Sequence, residues 1–291
     1  MSHRDSKNRT EALWRGEDAD GGVQQHVNRY FDTSAPYWDG VYRGASLQDV
    51  IYQQRQAAVL EYVEAADLSP GMAVLEIGCG AGHLTLALLG RDLNVVAVDA
   101  SPAMVDATAM RVREARPSQP VTVEVADAHA LPFDSECFDL VVAAGVIPWL
   151  HSPAAAIDEM ARVLRPGGQL VLTADNRARL LSFFDPRAIV ALTPLKRAKV
   201  ALRRRRGLAT PRLHYPRGVN RLLLRGSLEP LARRTIGFGP LSFMGRPLMS
   251  ESRSISAHAR LQSLADRGTP GLRWTGWHYL VRARKPGKAG T

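Results

Sequence analysis

Apolar positions follow two rhythms along the chain. Between residues 47 and 66, Val50, Ile51, Ala57, Ala58, Leu60, Tyr62 and Val63 recur at helical spacing, and Ser69-Pro70-Gly71 ends the run. From Ala73 onward, short apolar runs of strand length alternate with helical stretches. Strands are predicted at Ala73–Ile77, Asn94–Val98, Val121–Val125, Phe138–Ala143 and Gln169–Thr173. Helices are predicted from about Gly82 to Leu89, from Ser101-Pro102, and from Ser152-Pro153 to about Arg165. Each Ser-Pro pair places a hydroxyl cap before a proline whose fixed φ suits the first helical position. Such alternation builds a mostly parallel sheet with helices on both faces and right-handed crossovers.

After Asn176 the rhythm changes. Residues 178–206 read as one or two basic helices ending in the run Arg203 to Arg206, and 217–225 as a short helix. The stretch near 230–243 reads as irregular strand, 251–267 as a helix, and Trp274 to Arg284 as a last strand. Residues 1–22 are polar and aperiodic, and disorder is expected there. The expected division is therefore a tail (1–22), a helical N-terminal segment (23–66), an α/β core (67–176), a basic insertion (177–234) and a C-terminal part (235–291).

Composition adds two points. With 45% hydrophobic and 23% charged residues the chain is that of a globular protein, and no apolar run is long enough to span a membrane. A cytoplasmic setting is expected, with Cys79 and Cys137 as free thiols. The net charge of +10 is concentrated: residues 177–234 hold 16 Lys and Arg against 2 Asp and Glu, leaving 22 basic and 26 acidic residues elsewhere. So strong a local field attracts anions, whether phosphate, nucleic acid or lipid headgroup.

The chemistry is concentrated in Val74-Leu75-Glu76-Ile77-Gly78-Cys79-Gly80-Ala81-Gly82. A strand runs into three glycines at alternate positions and then into a helix, so the backbone can turn sharply and approach a ligand. The dinucleotide fingerprint G-x-G-x-x-G does not fit, because the third glycine comes one position early and His83 stands in its place. An acidic Glu76 beside the loop suits a cationic amino-acid headgroup better than a pyrophosphate. Asp99 ends the second strand, where a carboxylate can accept from both hydroxyls of a ribose.

These blocks, together with Ala126-Asp127-Ala128-His129-Ala130-Leu131-Pro132-Phe133, Phe138-Asp139-Leu140-Val141 and Val163-Leu164-Arg165-Pro166-Gly167-Gly168, closely resemble the class I S-adenosylmethionine-dependent methyltransferases, particularly the ubiquinone/menaquinone-biosynthesis-like type 11 group. The resemblance covers about residues 50–175. It implies a Rossmann-like, doubly wound, seven-stranded α/β fold with an N-terminal helical lid, S-adenosylmethionine as cofactor, and no metal. It implies that Glu76 holds the methionine amine and that Gly78, Cys79, Gly80 and Gly82 line the methionine and ribose. Asp99 binds the ribose hydroxyls, Ala100 and Met104 lie against the adenine, and Asp127 and Ala128 pair with its edge. Ala144 and Gly145 lie near the reactive methyl. Arg55 matches a position that often pairs with the cofactor carboxylate; a solvated arginine on a helix face is the competing reading.

No catalytic base is evident. His151, which follows Trp149 after the fourth strand, is a candidate, as are His214 and Tyr215. The aromatic run from Tyr30 to Tyr42 resembles the lid that closes over the cofactor. For the basic insertion, capping of a small-molecule pocket competes with peripheral contact of 178–206 with an anionic membrane carrying a lipid-linked acceptor. RNA methylation is a weaker alternative, because Ala143-Ala144-Gly145-Val146-Ile147-Pro148 lacks the Asn/Asp-Pro-Pro-aromatic tetrad that grips a base amino group. A non-catalytic cofactor-binding module is the third. Oligomeric state is not readable from the sequence.

Overall fold

The computed structural model describes residues 19–180, 210–240, 242–243 and 246–287. The predicted basic helices of 178–206, with Arg203 to Arg206, lie almost wholly outside the described residues, and so does the membrane contact expected of them.

Helices α1 (Ala19–Val41) and α2 (Leu47–Glu64) precede strand β1 (Ala73–Ile77). Then follow α3 (His83–Leu89), β2 (Asn94–Asp99), α4 (Pro102–Ala115), β3 (Val121–Val125), β4 (Phe138–Ala143), α5 (Pro153–Val163) and β5 (Leu164–Asp175). The C-terminal part supplies α6 (Pro216–Arg225), β6 (Glu229–Ile236), α7 (Glu251–Asp266) and β7 (His278–Arg284). The caps read from sequence are in place: Ser101 Oγ accepts from the Met104 amide at 3.3 Å, and Ser152 Oγ from the Ala155 amide at 3.4 Å. Ser46 opens α2 with a full capping box, its partner being Asp49.

Seven of the described strands form one sheet in the order β3-β2-β1-β4-β5-β7-β6, and Ser242–Phe243 pairs separately with Arg246–Pro247. Within the sheet all are parallel except β7, which runs antiparallel to β5 on one side and β6 on the other. The fold is the expected Rossmann-like α/β arrangement. One face packs on α5 and α6 through Ala156, Ile157, Met160, Val219 and Leu223, the other on α2 and α3 through Ala58, Val59, Val63, Leu84 and Leu88. From β1 the chain winds outward through β2 and β3, then returns to β4 on the other side. That reversal opens a crevice at the carboxyl ends of β1 and β4, the usual ligand position in such sheets.

Several boundaries differ from expectation. α1 begins at Ala19, inside the stretch expected to be disordered. β5 reaches Asp175, two residues beyond the predicted end at Thr173. β6 spans the division drawn between 234 and 235, so the end of the basic segment is an integral edge strand. Its alternation is hard to read because the exposed positions, Glu229, Leu231 and Arg233, mix charged and apolar residues. β7 starts at His278 rather than Trp274.

Candidate functional site

A cavity of about 700 Å³ sits at the carboxyl ends of β1, β2, β4 and β5, within the range of about 300–1,000 Å³ usual for small-molecule sites. Its floor is the turn from β1 into α3. Gly78, Gly80 and Gly82 have φ of 73°, 56° and 79°. At Gly78 a Cβ would stand 2.4 Å from Val146 Cγ2, so both conformation and space demand glycine. At Gly80 a Cβ would meet no protein atom. The turn is pinned from outside: Gly78 and Cys79 amides donate to Val98 O at 2.7 and 3.0 Å, and Thr108 Oγ1 donates to Gly80 O at 2.8 Å.

Two carboxylates face this turn, Glu76 buried and Asp99 half-buried. Glu76, 1% exposed, accepts from Thr85 Oγ1 at 2.6 Å. Burial drives its pKa up to about 8 against the lowering effect of Thr85, and the charge of Asp99 adds to the rise. Asp99 accepts from the Gly80 amide at 3.0 Å through Oδ2 and from the Ser101 amide at 2.9 Å through Oδ1. Burial still raises its pKa to about 6, and Asp32 adds a further negative charge. The charged neighbours acting on this pair are thus acidic ones. Ionising both without a neutralising cation would be costly, so the Glu76 carboxyl stays protonated at neutral pH.

The other expected residues converge here. Cys79, Ala100, Met104, Asp127, Ala128, Ala144 and Gly145 all line the cavity. Asp127 Oδ1 accepts from the His129 amide at 2.9 Å and from its ring Nδ1 at 2.6 Å. Burial would raise its pKa, but those bonds outweigh it and hold the carboxyl low. The Gly145 amide donates to Thr173 Oγ1 at 2.7 Å. Arg55 is not a solvated surface residue. It is 6% exposed, donates to the Tyr42 hydroxyl at 3.1 Å, and lies with its guanidinium 4.6 Å from the Tyr52 ring centre. It also packs on Gly145, where a Cβ would sit 2.8 Å from Nη1.

Residues 75–172 match the family model described as a methyltransferase domain. An uncharacterized methyltransferase of Mycobacterium tuberculosis is 42% identical over 124 residues, covering 41% of this chain and 48% of that protein. A demethylmenaquinone methyltransferase of Symbiobacterium thermophilum is 30% identical over 151 residues, covering 51% of this chain and 58% of its own. The chain thus spans about half the length of the curated relatives it matches. Residues 75–172 thus carry a methyltransferase domain, and the chain around it is similar to these relatives only in part. The cofactor of such a domain is S-adenosylmethionine. Magnesium protoporphyrin IX methyltransferase from Synechocystis superposes with a TM-score of 0.61 at 17% identity, over 89% of this chain and 98% of that one. The [4+2]-cyclase SpnF superposes with a TM-score of 0.61 at 22% identity, over 91% and 96%. These two likenesses speak for the fold alone, and they carry different activities.

Away from the glycine turn, the cavity is walled by aromatic rings. Tyr30, Phe31, Tyr37, Trp38 and Tyr42 of the N-terminal segment all line it, with Tyr52, Trp149 and Trp277. Tyr30 stacks on Trp149 with centroids 5.6 Å apart, and Phe31 meets Trp149 edge-on at 5.0 Å. Polar contacts fasten α1 over the site: Asp39 accepts from His83 Nε2 at 3.0 Å and from Arg111, and Asp32 from Ser101 Oγ at 2.6 Å.

The three candidate bases do not line this cavity. His151 stacks on His129 with centroids 3.8 Å apart and shares a 3.3 Å contact with Gln24. His214 bridges to Asn176 at the edge of β5, and burial holds its pKa low. Tyr215 is 56% exposed and caps α6 beneath Arg177. Sequence reading missed Asp175, Arg179 and Trp277, which do line the cavity. The signal for Asp175 was present: it ends β5 as Asp99 ends β2, but the strand was read two residues short.

Proposed function

We propose that the chain transfers a methyl group from S-adenosylmethionine to a small organic acceptor, free or lipid-linked, bound in the aromatic half of the cavity. The bound cofactor supplies an electrophilic methyl group on a sulfonium. Asp99 accepts from the ribose hydroxyls, and Glu76 receives the methionine ammonium. Ala100 and Met104 pack on the adenine, whose edge meets Asp127 and the Ala128 amide. Arg55 receives the carboxylate. Ala144 and Gly145 border the reacting methyl. The lid aromatics exclude water and hold the acceptor in line, which can supply much of the rate of such a displacement.

The observation that carries this reading is the pair of carboxylates, buried Glu76 and half-buried Asp99, beside a glycine whose side-chain position is empty space. A ligand bringing an ammonium and two vicinal hydroxyls would satisfy them; a dinucleotide pyrophosphate would be repelled. The relative named as a demethylmenaquinone methyltransferase supports a flat, largely apolar acceptor. Isothermal calorimetry with S-adenosylhomocysteine tests the cofactor half: binding that disappears in Asp99→Ala is expected. Tight uptake of a nicotinamide dinucleotide in its place would refute the reading.

A further inference from the structure

The methyl acceptor must lie at the far end of the cavity from Asp99 and Asp127. The carboxylates lining the cavity are Glu76, Asp99, Asp127 and Asp175. The first three border the glycine turn and the adjoining ends of β1, β2 and β3. Asp175 stands apart, on the last residue of β5, in the aromatic half with Tyr52 and Trp277. It is close to where transfer would occur: Arg55, packed on Gly145, acts electrostatically on Asp175, and Thr173, two residues back on the same strand, holds the Gly145 amide.

Asp175 has a built environment. Directly across the antiparallel ladder is His278, 1% exposed, whose Nδ1 lies 3.1 Å from Asp175 Oδ1. The His278 ring is parallel to Trp277 at 5.6 Å and tilted against Tyr52 at 5.5 Å, so packing fixes its plane. Burial lowers the His278 pKa more than Asp175 raises it, so the ring is neutral and gives its one proton to Asp175. Burial alone would raise the Asp175 pKa, but the His278 bond and the charges of Arg55 and Arg179 hold it below the usual carboxylate range. Around it stand His278 from β7, Arg55 and Tyr52 from α2, Arg179 after β5, and His214, whose amide donates to the Asp175 carbonyl at 2.8 Å.

Resting on the methyltransferase reading, we propose that Asp175 is the catalytic proton acceptor for a hydroxyl-bearing acceptor and that His278 is its positioning residue. The acceptor oxygen uses a lone pair to form the O–CH₃ bond. The electron pair of the broken S–CH₃ bond stays on sulfur, giving a neutral thioether. The hydroxyl proton passes to the Asp175 carboxylate, which returns it to water as the methyl ether leaves. A carboxylate of low basicity suffices, because a hydroxyl oxygen becomes strongly acidic as the methyl group arrives. In this proposal Asp175 Oδ1 holds His278 and Oδ2 takes the acceptor proton.

The test uses 2-naphthol, a flat phenol that becomes a strong acid on excitation and passes its proton to a base in hydrogen-bond contact. Calorimetry first establishes S-adenosylhomocysteine binding; its absence would sink the methyltransferase reading itself, before any naphthol is added. With that ligand bound, naphthol is titrated and its emission recorded on excitation beyond the tryptophan band. We expect naphtholate emission from the wild type, a several-fold drop in Asp175→Asn with naphthol affinity and melting temperature nearly unchanged, and retention in His278→Gln, whose amide can still donate to Asp175. His278→Leu should lose it. Persistent naphtholate emission in Asp175→Asn, or no naphthol uptake by the loaded wild type, would overturn the proposal while leaving the cofactor site standing. Emission unchanged in His278→Leu would remove His278 from it.

Discussion

Ser101 Oγ donates to Asp32 of α1 at 2.6 Å while accepting from the Met104 amide at 3.3 Å. One hydroxyl therefore both caps α4 and tethers α1. Ser101→Ala should cost about 1 kcal/mol as a lost cap. It should also speed proteolytic cleavage within α1 under native conditions. A urea titration and a limited-digestion time course check the two parts, and equal cleavage rates would deny the tether.

Asp39 gathers Arg43, His83 and Arg111, joining α1 to α3 and α4. These groups are partly exposed, so each contact is worth little individually. Asp39→Ala should raise the dissociation rate of S-adenosylhomocysteine by a few-fold while leaving the melting temperature close to wild type. Stopped-flow displacement measures the rate; a large thermal shift would mean that Asp39 serves the fold instead.

Gly78→Ala combines a positive φ with a Cβ placed 2.4 Å from Val146 Cγ2. The backbone strain alone is about 1–2 kcal/mol. Adding Val146→Ala should recover the steric part and not the strain. Chemical denaturation of the single and double variants separates them, and full rescue would mean that strain at this φ is negligible.

Glu76 provides a pH signature. In the ligand-free protein its carboxyl stays protonated up to about pH 8, yet pairing with an ammonium needs the ionised form. Ligand binding must then release a proton, so affinity for S-adenosylhomocysteine should rise with pH between about 6 and 7.5, by at most about tenfold per unit. Asp99, at about 6, contributes in the lower part of that window. Because the folded-state pKa of Glu76 is raised, ionisation also opposes folding, and ligand-free stability should fall as pH climbs toward 8. Glu76→Gln should flatten the stability trend and weaken binding. Calorimetry in buffers of different ionisation enthalpy counts the proton; none released would contradict the assignment.

How much of this was readable in the residues follows from how local each signal is. The β1 turn and Asp99 announce themselves within thirty residues, because strand, glycines and terminal acid are contiguous features of one βαβ unit. Arg55 was ambiguous, since nothing in a helical periodicity says that an arginine is roofed by Tyr42 and Tyr52. The His278–Asp175 contact joins residues 103 apart in the chain and exists only because an antiparallel strand lies beside β5. His151, conversely, was a candidate two residues past Trp149, and its ring lies against His129. Spacing locates a loop; it does not orient the side chains on it.

The last strand enters the sheet between two strands that precede it in the chain. During synthesis β5 must therefore wait with an unpaired edge until β7 emerges, and the half of the crevice that greets the cofactor can assemble well before the half that bears Trp277 and His278. Such an exposed edge invites pairing with another molecule. A growing chain therefore presents an open sheet edge until residues 278–284 emerge, and self-association is the competing fate in that interval.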